Sequence, residues 1–166
     1  IAFGSCSIEA TFLPLKERKN KIIISKNIMD SIHFCDFNMP LHIFTENQTL
    51  FIGPLVGIFT AGFTPFPLRP MGERSLFFSK LLSVKKSVGA LPFIFGEQHI
   101  DWEQGLIRGY FFHQNGWEIR EVPFPNVIYD RLPNRKTENR SILKRTKERL
   151  QREYLIPWYN PGFFNK

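Results

Sequence analysis

The residues of most chemical interest are Arg131 and Arg135. They flank Pro133 just after a short predicted strand, Val127 to Tyr129, which runs into Asp130. In an open α/β sheet, ligands bind outside the carboxyl ends of the strands. An arginine placed there can hold a carboxylate or a phosphate through two parallel hydrogen bonds. The competing reading is structural, with two loop arginines bridging to Asp130 and Glu138.

Other chemistries find less support. His33, His42, His99 and His113 show none of the HxH, HxxxH or HExxH spacings, and no carboxylate pair accompanies them, so no metal ligands are assigned. No GxSxG elbow occurs, and Gly4-Ser5-Cys6-Ser7 has no identifiable base, so no catalytic residue is assigned. Gly53-Pro54-Leu55-Val56-Gly57 is not a GxGxxG loop and begins a strand rather than ending one. Gly57 reads instead as a close-packing position inside a sheet. Cys6 and Cys35 form no CxxC pair and read as small buried residues of a reducing compartment.

The chain that must position these residues has 166 amino acids, 43% of them apolar. That suffices for one compact domain or two small ones. It excludes a disordered tail, a collagen-like chain and a disulfide miniprotein. No apolar run approaches the roughly 20 residues of a membrane span. With 18 phenylalanines, either the core is Phe-rich or some aromatic surface expects a partner. The net charge is +7, and residues 135–153 carry eight basic against three acidic side chains. Such a block can meet an anionic partner. Nucleic acid is disfavoured, because the charges surround the helix and Lys144 and Arg149 have Glu148 and Glu153 at i+4.

The elements read as follows. Ala10 to Leu15 and Lys21 to Ile24 are strand-like, and Ser25 caps a helix carrying Ile28, Met29 and Ile32. Leu41 to Thr45 and Thr49 to Ile52 alternate as a hairpin around Glu46-Asn47-Gln48. After Gly53-Pro54 the pattern changes to strands buried on both faces, Leu55 to Thr60 and Leu91 to Phe95. Between them Phe77, Leu81, Val84 and Val88 mark one helix face, with Gly89 closing it and Lys85 and Lys86 in its last turn. Strand, helix, strand in this order implies a parallel crossover. Asn115-Gly116 predicts a hairpin turn that sets Phe112 opposite Ile119 and His113 opposite Glu118. Tyr110, Phe112, Trp117 and Ile119 then share one apolar face. A basic helix follows, striped by Ile142, Leu143, Thr146, Leu150 and Tyr154, and then a last strand, Leu155 to Tyr159. The expected class is α/β, with a small mostly-β module over 1–53 and a second domain over 54–166 carrying the hairpin.

Three ordered motifs carry a family resemblance. The first is Gly53-Pro54-Leu55-Val56-Gly57-Ile58-Phe59-Thr60. The second runs from Pro123-Phe124-Pro125-Asn126-Val127-Ile128-Tyr129-Asp130-Arg131 through Pro133, Arg135 and Glu138. The third is the ending, Ile156-Pro157-Trp158-Tyr159-Asn160-Pro161-Gly162-Phe163-Phe164-Asn165-Lys166. Together they resemble the YheC/YheD family, spore-coat-associated proteins with an ATP-grasp domain. Asn126 stands where that family usually has Asp, and Asp130 where it usually has Asn.

The resemblance implies that residues 54–166 are a Rossmann-like pre-ATP-grasp domain and that the ATP-grasp lobes lie outside this chain. ATP and magnesium are implied for the full-length protein, with none expected on this chain alone. The full protein would be a ligase-like enzyme joining a carboxylate to an amine or thiol, and this chain would supply the substrate side without being catalytic alone. The resemblance places Asp130, Arg131 and Arg135 at the acceptor cleft and Lys166 near the nucleotide. It implies the missing lobes and spore-coat proteins as partners, and a cytoplasmic or spore-coat location. The alternative is a non-enzymatic coat interaction module, or a binder of anionic polymers. Truncation before the lobes would leave Trp158, Tyr159, Phe163 and Phe164 exposed.

Overall fold

The computed structural model describes residues 1–16 and 20–160. Phe163, Phe164 and Lys166 lie outside the described residues. The described residues form two sheets with a few helices.

The first sheet has four strands, in the order β2-β1-β4-β3. These are β1 (Ala2–Phe3), β2 (Cys6–Ser7), β3 (His42–Glu46) and β4 (Thr49–Gly53). β3 and β4 form the expected hairpin, with Asn47 and Gln48 both at positive φ, the conformation that a tight hairpin turn demands. β1 pairs with β4 in parallel. Helix α1 (Lys26–Ser31) starts at Ser25, whose hydroxyl accepts from the Ile28 N–H at 3.4 Å. Ile32, just past the helix, is fully buried.

The two strands expected over 10–15 and 21–24 do not form. Their apolar side chains find no ladder to join, and Phe12, Leu13 and Ile23 stay exposed. Both stretches instead line one surface groove with Ile1 and Ile28.

The second sheet has seven strands, ordered β11-β10-β5-β6-β8-β7, with β9 paired to β8. In chain order they are β5 (Leu55–Phe59), β6 (Leu91–Phe95), β7 (Ile100–Asp101), β8 (Leu106–His113), β9 (Gly116–Pro123), β10 (Val127–Asp130) and β11 (Trp158–Tyr159). β11, β10, β5 and β6 are mutually parallel. Helices α2 (Ser75–Ser83) and α3 (Lys85–Val88) connect β5 to β6. Helices α4 (Arg135–Glu138) and α5 (Ser141–Arg152) connect β10 to β11.

The sheet is covered on both sides. On one face Ile58 and Ile94 pack with Phe78 and Leu82 of α2, and with Phe112 and Trp117 of the long hairpin. On the other, Phe59, Phe93, Phe95 and Ile128 pack with Leu143 and Leu150 of α5. The same cluster takes in Phe3, Phe37, Leu50 and Ile52 of the first sheet's region, so one Phe-rich core joins the two sheets. Gly57 is a tightly packed point of that core, because a Cβ there would stand 2.8 Å from the Phe95 ring and 2.9 Å from Pro125.

Two expectations need correction. The buried face of α2 is Ser75, Phe78, Ser79 and Leu82. The predicted stripe is rotated off it, and Phe77, Val84 and Val88 are exposed. Lys85 lies in the last turn of α3, as expected. It is buried, with its ammonium donating to the Phe112 carbonyl at 2.7 Å and lying over the Phe37 ring. The long hairpin also turns one residue early. Gln114 and Asn115 take the positive φ values, and Phe112 pairs with Trp117 and His113 with Gly116. Moving the turn by one residue shifts the register by two, which leaves every side chain on its expected face. Tyr110, Phe112, Trp117 and Ile119 therefore still share a side.

Candidate functional site

The four parallel strands end together, and their order reverses at β5. The chain leaves β5 for β6 on one side and later returns to place β10 on the other. The gap above the carboxyl ends of β5 and β10 is the position at which open α/β sheets bind ligands. Thr60 and Ala61 leave β5 there, and Arg131 and Leu132 leave β10.

Asp130 and Arg131 are neighbours on an extended strand, so their side chains point to opposite faces. Asp130 turns toward α5 and is 4% exposed. Its carboxylate is ion-paired with the Lys147 ammonium, and it accepts from the Trp158 indole N–H at 3.2 Å and the Leu132 N–H at 3.0 Å. Lys147 is itself buried and has Glu138 at 3.6 Å as a second anion. One residue of the basic block is thus neutralised inside the fold. Another, Arg149, is bonded to Glu153 at 3.0 Å and lies over the Trp102 ring.

Arg131 turns toward α2. Its guanidinium lies over the Phe77 ring, 5.0 Å from the centroid, and over Tyr129 at 5.9 Å. The backbone is held firmly, since the Arg131 N–H donates to the Phe59 carbonyl at 2.8 Å and its own carbonyl accepts from the Thr60 hydroxyl at 2.8 Å. Arg135 opens α4, an exposed turn capped by the Asn134 side chain, which accepts from the Thr137 N–H at 2.9 Å. Asn126 sits at the opposite end of β10, where its Oδ1 accepts from the Leu55 N–H at 2.8 Å.

The structure brings in a residue that the sequence reading missed. Arg74, just before α2, reaches back to the end of β5. It donates to the Thr60 Oγ1 at 2.9 Å and to the Ala61 carbonyl, and it lies over the Phe78 ring. Burial lowers the pKa of Arg74, and the charge of Arg131 lowers it further. Gly62 makes room for it, because a Cβ there would stand 3.2 Å from Arg74 Nη2. The available signal was position: one of two arginines, with Arg69, in the loop leaving the first parallel strand.

His99 braces the same end of the sheet. It packs edge-on to Phe63 with ring centroids 4.5 Å apart, and its Nδ1 accepts from the Gly96 N–H at 2.9 Å. Burial pushes its pKa down to about 4, with the charge of Arg108 acting in the same direction. Cys35 is a structural thiol, since burial raises its pKa to about 11, which keeps it protonated and unreactive. Among the described residues no group of three or more His, Cys, Asp or Glu could hold a metal ion, and no helix is long and apolar enough to cross a membrane.

Comparison with known proteins defines the class. The chain belongs to the YheC/YheD family. The relative that carries this assignment is the endospore coat-associated protein YheD of Bacillus subtilis (strain 168), 44% identical over 165 residues, which is 99% of this chain. The chain spans 36% of that relative's length. No family model and no solved structure matches it.

Proposed function

We propose that this chain is the substrate-side portion of an ATP-grasp, ligase-like protein associated with the spore coat. On this reading residues 1–53 are a small β module and residues 54–166 a Rossmann-like pre-ATP-grasp domain. Arg131 and Arg135 face the acceptor, Asp130 fixes the strand end that carries them, and Lys166 approaches the nucleotide in the full-length protein. The observation that carries the reading is Arg131 at the point where the parallel strand order reverses. The relative's description as endospore coat-associated supports the location.

Among the described residues no group of three or more His, Cys, Asp or Glu comes together. On this reading ATP and its metal are held by the remaining length of the full protein, and the acyl-phosphate chemistry of a ligase is assigned there. What these residues supply is orientation of an anionic acceptor. The test compares two preparations. The full-length protein should form ADP in an acceptor-dependent way and lose that dependence with Arg131→Ala. The 166-residue chain should show no tight magnesium-dependent ATP binding by calorimetry. Tight binding by the short chain would overturn the reading.

A second reading, a coat interaction module without catalysis, draws on the exposed Phe12, Leu13, Leu15, Ile22 and Ile23. A patch of this kind marks an interaction surface. It requires that Leu13→Glu with Ile23→Glu abolish coat localisation while Arg131→Ala leaves it unchanged.

A further inference from the structure

Arg74 and Arg131 pose an electrostatic problem that the described residues leave unsolved. Both arginines are half-buried. Both are tied to Thr60, whose hydroxyl accepts from Arg74 and donates to the Arg131 carbonyl. Both rest on adjacent rings of α2, Arg74 on Phe78 and Arg131 on Phe77. The two charges are near enough to disfavour one another. Yet among the described residues no carboxylate lies within ion-pair distance of either. Asp130, one residue from Arg131, is committed to Lys147 on the far side of the sheet.

Holding two cations together without a counter-ion costs free energy, and a bound anion between them removes that cost. Arginine forks suit a group that offers paired oxygens. We propose that Arg74 and Arg131, positioned by Thr60 and the Phe77–Phe78 pair, form a two-arginine clamp for an oxyanion, the carboxylate or phosphate group of a ligand. This deepens the acceptor-site reading by adding Arg74 and Thr60 and by naming the ligand's recognised group, and it also stands without any ligase activity.

The clamp has a defined shape. Thr60 fixes Arg74 through a hydrogen bond that leaves part of the guanidinium edge for a ligand, since the fork carries five N–H donors. Among the described residues Arg131 makes only ring contacts and backbone bonds, so none of them occupies its fork. The exposed edge of Phe77 beneath it is apolar, so the rest of the ligand leaves the clamp over a hydrophobic ledge.

The experiment titrates inorganic phosphate and, separately, malonate into the 166-residue chain at fixed ionic strength, with chloride as the control. The side-chain Nε–Hε resonances of the arginines and the thermal midpoint are followed. Saturable shifts of the Arg74 and Arg131 signals with a rising midpoint are expected, for phosphate or malonate but not for chloride. The tighter of the two identifies the recognised group. Arg131→Ala should weaken that binding roughly ten- to hundredfold, and Arg131→Lys should retain part of it. Arg131→Gln is the second variant, in case the alanine variant is poorly folded. Absence of saturable binding by both anions, or affinity unchanged in both the Ala and Gln variants, would overturn the clamp. Binding that survives while the full-length protein shows no ADP formation would overturn the ligase reading and leave the clamp standing.

Discussion

The two sides of the end of β10 make opposite arrangements for charge. On the α5 side Asp130 and Lys147 are both buried, and Trp158, the Leu132 N–H and Glu138 complete the set. On the α2 side Arg131 and Arg74 are half-buried cations over aromatic rings, with no carboxylate among the described residues to pair them. A single residue step along an extended strand separates the two. The difference separates a structural ion pair, which closes its own electrostatics, from a pair of charges whose counterpart comes from outside. It also accounts for two of the eight basic side chains of the block. Lys147 serves the fold and Arg149 serves α5 and Trp102, so excess charge in a sequence does not locate a binding surface by itself.

The sharpest way to break this comparison is to remove one partner on the closed side. Asp130→Ala strands Lys147 in the interior with Glu138 at 3.6 Å as its one remaining anion among the described residues, and a loss of about 3–5 kcal/mol is expected in urea unfolding. Combining Asp130→Asn with Lys147→Met should recover much of that loss, because no unpaired charge then stays buried. If Asp130→Ala unfolded at the wild-type urea midpoint, the closed side would not be a structural pair.

Next in size is a pH effect on the side of the sheet end that holds Arg74. His99 is neutral in the fold, because its Nδ1 accepts from Gly96 and its pKa is held near 4, below the ordinary 6.5. The unfolded chain takes up that proton first as pH falls. Stability is therefore complete above about pH 6.5 and declines as pH drops toward about 4, by on the order of 2 kcal/mol. His99→Asn should flatten this part of the profile. A profile in the variant identical to wild type would remove His99 from the account.

Gly57→Ala probes the core beneath both sides. The added methyl meets Phe95 and Pro125 on the α5 face, and overpacking of this kind costs about 1–2 kcal/mol. Phosphate or malonate affinity should be unchanged, because the clamp lies on the other face. A loss of anion affinity matching the loss of stability would show that the two sides are not independent.

The smallest expected change sharpens the contrast from the open side. Arg131→Ala should alter stability in anion-free buffer by less than about 0.5 kcal/mol, against the several lost at Asp130. A large destabilisation would make Arg131 a structural residue and merge the two sides into one.

Much of this architecture was legible because the strongest local signals agree with the fold. Leu91 to Phe95 is a continuous apolar run and is buried throughout. The parallel pairing of β5 with β6 follows from the helix between them. Arg131 was legible as a candidate because it follows a strand end, and the order reversal at β5 gives that position its meaning.

The misreadings have physical causes. The face of α2 was misjudged because two of its four buried positions are serines, which hydropathy discounts. Ser79 is buried at little cost because its hydroxyl donates to the Leu76 carbonyl within the helix. The hairpin turn fell on Gln114-Asn115 although Asn115-Gly116 has the better intrinsic preference, and the resulting register sets Tyr110 against Ile119 and Phe112 against Trp117. The stretches 10–15 and 21–24 have strand composition but no strand edge to join, and composition cannot reveal the absence of a neighbour. Arg74 escaped notice because its partner at the end of β5 is reached only once the helix has folded back over the sheet.

Phe77 and Phe78 are consecutive on one helix, and each lies under a different guanidinium. The distance between the cations is therefore governed by one residue step of a helix, about 1.5 Å of rise and about 100° of rotation, as the spacing of two teeth is set by the thread that carries them. Thermal wandering of the loop ends would leave that gauge intact, and only unseating α2 from Ile58 and Ile94 would change it.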